Sequence, residues 1–178
     1  KSLSLSRQLN DSVLIGLNYS HIAMMMSVEG RYENAIKYYF DAITIYTNLM
    51  DTASLASSYN NIGLVYSDMN DPEKAIEFYK KSIAYKKWSQ NHMSLSRSYI
   101  NLGIAFDIMA ETAKYDEQQK LLDSALNYAH KALSIRLETD NLYEISNAYS
   151  NIGILHFHKN QNDSARCYYN KSLEIEEK

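Results

Sequence analysis

The strongest constraint on this chain is that it repeats itself. The segment Tyr59-Asn60-Asn61-Ile62-Gly63 recurs as Tyr99-Ile100-Asn101-Leu102-Gly103 and as Tyr149-Ser150-Asn151-Ile152-Gly153, with a weaker copy at Tyr19-Ser20-His21-Ile22-Ala23. A second anchor follows each copy, at Ala35-Ile36, Ala75-Ile76, Ala125-Leu126 and Ala165-Arg166. Corresponding residues are 40 apart, except for one step of 50 that places an insertion near residues 110–119. A fixed period in this range means that each unit is one supersecondary element, unable to bury its apolar side alone and obliged to stack on its neighbours.

The units read as helical hairpins. Asp11, Asp51, Asn91 and Asn141 stand just before the first periodic segment of each unit, where an Asx side chain accepts from the free amides of a helix start. Asp71-Pro72-Glu73 reads as an N-cap, then Pro at the first helical position, then an acid favourable to the helix dipole. Gly30, Asn70 and residues 160–163 mark the breaks between paired helices. The predicted units are 11–50, 51–90, 91–140 and 141–178, with 1–10 the end of a preceding repeat. The insertion has no Gly or Pro, so it is expected to lengthen both helices of the third unit by about a turn and a half each. Such a projection marks either a partner or dimer contact or simple drift in repeat length.

On these anchors the sequence resembles the tetratricopeptide-repeat family, whose pattern is an aromatic, then Leu-Gly, then Tyr, then Ala-x3-Phe. The second unit reads Tyr59, Ile62-Gly63, Tyr66, Ala75 and Tyr79, and the fourth reads Tyr149, Ile152-Gly153, His156, Ala165 and Tyr169. The departures are Ala23 for Gly and Met26 for Tyr in the first unit, Ala129 for the aromatic in the third, and the missing Pro that often closes a repeat. A period longer than the usual length of about 34 is similar to the long-repeat subclass found in kinesin light chains and many bacterial signalling proteins. The resemblance implies an all-α fold: an α-α superhelix, or solenoid, of four helical hairpins plus a partial N-terminal helix.

At about 100° per residue, Tyr59, Ile62, Gly63 and Tyr66 share one face of a first helix, and a different stripe lies about 180° away. That second stripe holds His21, Asn61, Asn101 and Asn151 at one position and Leu64, Ile104 and Ile154 three residues on, with Arg97 and Asn147 at its start. In the resembling family first helices line the concave side, which implies that this stripe is a groove for a protein or an extended peptide segment. An Asn side chain offers a carbonyl and an NH2 together and can pair with both polar groups of an extended backbone. The same residues suit a purely structural role, tying neighbouring first helices together. Arg97 suits either a ligand carboxylate or a solvated or internal pairing. Ser20 stands where the family's clamp for chaperone C-termini has Lys, which argues against that ligand class.

Other chemistries find little support. The balance of 18 basic and 21 acidic residues, net charge −3, provides no footprint for a phosphate backbone, so no nucleic-acid partner is expected. No apolar run approaches the roughly 20 residues that span a bilayer. His156 and His158 are two apart on a predicted helix and point in different directions, so no metal site is expected; His156 replaces a packing aromatic. No Gly-rich phosphate loop, GxSxG, HExxH or CxxC is present. The chain is therefore read as non-enzymatic and without a cofactor, and the lone Cys167 as an inert small residue. Many of the 16 tyrosines recur at repeat packing positions and are read as core, and Lys80, Lys81, Lys86 and Lys87 as a solvated outer face.

Lys1-Ser2-Leu3-Ser4-Leu5 resembles Lys131-Ala132-Leu133-Ser134-Ile135, so the chain is expected to open midway through a second helix and to be part of a longer protein. Localisation, cytoplasmic or periplasmic, stays open. Three other readings accompany the peptide-binding scaffold: a sensory or regulatory segment of a bacterial signalling protein carrying a histidine kinase or transcription regulator, a regulator with phosphatase activity, and self-association through uncapped repeat ends.

Overall fold

The computed structural model describes residues 11–86 and 92–177. The expected partial helix at 1–10, the cap Asn91 and the surface residue Lys87 lie outside the described residues. Among those described there are eight helices and no strand: α1 (Ser12–Val28), α2 (Tyr32–Asn48), α3 (Thr52–Asp68), α4 (Pro72–Lys86), α5 (His92–Thr112), α6 (Tyr115–Arg136), α7 (Leu142–His158) and α8 (Asn162–Glu176). Consecutive helices pair as hairpins, and the chain divides into two compact units, one holding α1–α4 and the other α5–α8.

Local chemistry sets the helix ends. Asp11 Oδ1 accepts from the Leu14 amide at 3.0 Å, Asp51 Oδ1 from Ser54 at 3.0 Å, and Asn141 Oδ1 from Glu144 at 3.2 Å. Asp71 caps α4 in the same way, accepting from the Lys74 amide at 3.1 Å. These bonds satisfy donors that the helix itself leaves without a partner. The turns reverse through left-handed residues: Gly30 (φ 74°), Asn70 (φ 58°) and Asn160 (φ 60°), together with Met50 (φ 54°) between α2 and α3. Gly and Asn adopt that conformation readily, whereas Met50 does so at a steric cost. In the third repeat α5 has 21 residues and α6 has 22, against 17 for α1, α2, α3 and α7.

In the first unit the core runs through Ala23, Tyr39, Ala42, Tyr46, Ile62, Val65 and Phe78. Rings fill it: Tyr66 stacks on Phe78 at 5.4 Å and Tyr59 on Tyr85 at 5.6 Å. In the second unit the core is more aliphatic, with Leu122, Leu126, Leu133, Ile145, Ile152 and Leu155 around Ala125, Ala129 and Ala148. His156 takes the aromatic place there, stacking on Tyr168 at 5.2 Å while its Nδ1 lies 2.6 Å from Gln161 Oε1.

One position near the end of each second helix differs between repeats and faces a small residue on the first helix. Tyr46 lies over Gly16, where an added Cβ would stand 2.8 Å from the ring. In the third repeat the counterpart is Arg136, only 5% exposed. Its Nε donates to Ser96 Oγ at 3.1 Å, its Nη1 donates to the Glu144 carbonyl at 2.7 Å, and it pairs with the Glu144 carboxylate. Burial and the nearby Arg97 hold Arg136 below the ordinary guanidinium range, opposed by Glu144. One side chain thus ties α5, α6 and α7. Lys86 occupies the same position in the second repeat and is buried, which corrects its assignment to a solvated face. Its register is that of Tyr46 and Arg136, turned toward the first helix. Lys81 is exposed and pairs with Glu77 at 2.6 Å.

Candidate functional site

The stripe singled out in the sequence runs along one side of the first helix of each repeat. Its aliphatic members Leu64, Ile104 and Ile154, with Leu17 and Met24 at the corresponding places on α1, are between 39 and 52% exposed, while Ile62, Leu102 and Ile152, two residues before Leu64, Ile104 and Ile154 and so on the opposite side of the same helices, are fully buried. Of the polar members, His21 and Arg97 are exposed and Asn61, Asn101, Asn147 and Asn151 are half-buried.

In the first unit the stripes of α1 and α3 border a recess of about 290 Å³. His21, Leu17 and Met24 line it from α1, and Ser54, Ser57 and Asn61 from α3, with Tyr46 at its side. The recess is rich in hydroxyl groups, and Tyr46 Oη lies 3.3 Å from Ser20 Oγ. Asn61 also bonds the Tyr39 hydroxyl; burial raises that phenol's pKa and the Asn61 bond opposes the rise. Part of the capacity of Asn61 is therefore spent inside the protein.

In the second unit the stripes of α5 and α7 border a cavity of about 220 Å³ with a different character. Ile100, Gly103, Ile104 and Asp107 line it from α5, Asn151, Ile154 and Leu155 from α7, and Ala129 of α6 forms its floor. Its wall is aliphatic with two polar groups at the edge. Asp107 Oδ1 lies 2.8 Å from His158 Nδ1, a bond that joins α5 to α7 and orients the carboxylate. Asn101 and Asn147 lie on the same two helices without lining the cavity, and neither does Arg97, three residues before Ile100 on α5, line it.

Five contributors escaped the stripe analysis: Ile100, Gly103, Asp107, Ala129 and Leu155. The available signal was the departure at Ala129, where the other repeats carry Tyr39, Tyr79 and Tyr169. Elsewhere that ring fills the gap to the first helix: an added Cβ on Gly63 would meet the Tyr79 ring at 2.5 Å, and one on Gly153 would meet Tyr169 at 2.8 Å. On Gly103 the nearest atom would be the Ala125 carbonyl oxygen at 3.3 Å. With a methyl group in place of a phenol, the two helices meet through backbone and a hole remains beside them.

Among the described residues no group of three or more His, Cys, Asp or Glu is placed to hold a metal ion, and no helix is long and apolar enough to cross a membrane. A family model described as tetratricopeptide repeat matches residues 14–87 and 111–178, more than half of the chain. The chain belongs to the tetratricopeptide-repeat family. Its fold is the all-α helical-repeat solenoid of that family, a class of protein-interaction repeats. In structure this tetratricopeptide-repeat chain is similar to BtubC (BKLC) from P. vanneervenii, with 18% identity over 93% of this chain and 65% of that one and a TM-score of 0.78. It is similar to the apo form of RapI, with 16% identity, 97% and 45% coverage and a TM-score of 0.81. It is similar also to MamA, with 22% identity, 98% and 83% coverage and a TM-score of 0.68. At these identities the likeness is one of fold. The chain spans less than two thirds of BtubC and less than half of RapI. No curated protein matches the sequence.

Proposed function

We propose that this chain is a non-catalytic scaffold that binds an extended segment of a partner protein along the exposed stripe of its first helices. The observation that carries the reading is the exposure of aliphatic residues at one repeated position, Leu64, Ile104 and Ile154, each three residues after an asparagine. Within the second unit, a backbone laid beside the stripes of α5 and α7 finds amide groups to pair with and apolar surface for its side chains. His21, Arg97 and Asn147 add polar groups to the same stripe. Net charge −3 leaves the partner's own charge unconstrained, so affinity rests on backbone pairing and burial.

The test is selection of extended peptides from a display library on the whole chain, followed by the double variant Asn101→Ala with Asn151→Ala. The peptides are expected to lose binding by about 2 kcal/mol or more, from two lost side-chain pairings, while circular dichroism stays unchanged. Equal binding to the double variant removes the reading. A repeat segment attached to a signalling effector, histidine kinase or transcription regulator, uses the same face, and the reading frame around this chain decides between these contexts.

A further inference from the structure

The cavity of the second unit lies where the other repeats keep a tyrosine. Ala129 replaces the ring, and the groups that hold the phenol hydroxyl in the sister repeats have counterparts here. Tyr79 Oη lies 3.1 Å from Ser67 Oγ, and Ser67 is four residues after Gly63. Four residues after Gly103 stands Asp107. The Tyr39 hydroxyl bonds the side chain of Asn61, 22 residues later. Twenty-two residues after Ala129 stands Asn151. Asp107, Asn151, Gly103 and Ala129 all line the one cavity. The surroundings of a buried tyrosine are thus retained without its ring.

We propose that this cavity is a socket for a phenolic side chain supplied from outside, the tyrosyl group of the extended partner segment. The inference rests on the scaffold reading and deepens it by naming the anchor residue. The ring packs between Ile104 and Ile154 over Ala129, and its hydroxyl meets Asp107 and Asn151. Size allows this, because a dry cavity of about 150 Å³ already admits benzene and this one measures about 220 Å³. Electrostatics favours the hydroxyl: His158 Nδ1 engages Asp107 Oδ1, which leaves Oδ2 as a charged acceptor for an O–H donor, a stronger bond than a neutral pair makes. A plain hydrocarbon ring would cover that carboxylate without compensating it.

The socket is tested on the whole chain with 4-methylphenol and toluene, following isoleucine and leucine methyl resonances by NMR. Saturable 4-methylphenol shifts at Ile100, Ile104, Ile154 and Leu155 are expected, with toluene weaker by about tenfold. Ala129→Tyr supplies the ring from within and is expected to abolish 4-methylphenol binding with helicity retained. If that variant does not fold, Asp107→Leu serves in its place: it should lower 4-methylphenol affinity by about tenfold and leave toluene within about threefold. Equal binding of 4-methylphenol to the wild type and Ala129→Tyr overturns the proposal, as does equal affinity for toluene. Selected peptides that lose binding on Asn101→Ala with Asn151→Ala yet bind Ala129→Tyr undiminished overturn the socket and spare the scaffold. Phenol binding with no peptide binding removes the scaffold and, with it, the assignment of the socket to a partner's tyrosyl group.

Discussion

The hairpin α3–α4 closes around Tyr79, which is 1% exposed, while the hairpin α5–α6 closes around Ala129 and keeps a cavity open beside it. The two share anchors, caps and pairing, so the difference isolates what one side chain does in a repeat. A tyrosine at this position seals the first helix against the second and uses its own hydroxyl to bond Ser67. An alanine there lets the backbones approach and transfers the unfilled volume to the face where α5 and α7 are exposed. The second unit recovers cohesion elsewhere, through Arg136, which reaches both Ser96 and Glu144. A repeat can thus exchange internal packing for an accessible site when a neighbouring position supplies another tie.

The largest expected effect tests that tie. Arg136→Ala leaves the Glu144 carboxylate and Ser96 without their guanidinium, and breaking a buried pair from one side costs about 3–5 kcal/mol. Urea denaturation with hydrogen exchange resolved by helix should show the loss in α5–α7; a change below about 1 kcal/mol would mean that Arg136 is not the tie.

Next in size is the removal of a tyrosine wedge from the first unit. Tyr39→Ala should destabilise by about 3–5 kcal/mol, and 4-methylphenol should restore part of that by binding the folded form. Thermal denaturation with and without the phenol measures both. Rescue there would show that the socket logic is portable between repeats, and destabilisation without rescue would confine it to the second unit.

Smaller again is the contrast between two glycines. Gly63→Ala drives a methyl group into the enclosed Tyr79 ring, for which overpacking costs about 1–3 kcal/mol. Gly103→Ala meets the Ala125 carbonyl oxygen at 3.3 Å and nothing else nearer than 3.9 Å, and the gain in helix propensity of about 1 kcal/mol offsets that squeeze. Equal melting temperatures for the two variants would break the comparison between the hairpins.

The smallest effect is alkaline. Burial raises the pKa values of Tyr39 and Tyr79, as it does for Tyr59 and Tyr99. For an acid whose folded pKa lies above its unfolded value, the unfolded chain releases the proton first. Stability is therefore full below about pH 10 and falls as the pH rises toward the folded values. Three of these four phenols lie in the first unit, so its helices should gain exchange earlier than α5–α8 in an alkaline titration. Tyr79→Phe should flatten part of that slope.

The fold was legible because it follows from short-range chemistry. Asp51 and Asn141 are caps in the sequence and caps in the structure, and Asn70 and Asn160 turn the chain where the breaks were expected. The exposed stripe was legible from angular spacing. Lys86 was misread, because its charge suggested solvent while its register, shared with Tyr46 and Arg136, turns it inward. Asp107 was passed over because it falls beside the stripe, three residues after Ile104, and its partner His158 is 51 residues away in the chain.

Sequence alone determined the repeated hairpins, their caps and turns and the side each first helix leaves uncovered, since those depend on neighbours within a few residues and on a periodicity carried by every unit. Only tertiary structure decided that the alanine at 129 opens a cavity instead of being filled by a neighbour, that Asp107 and Asn151 both line it, and that His158 bonds Asp107. Volume and long-range pairing depend on how closely whole helices approach, which no local pattern encodes.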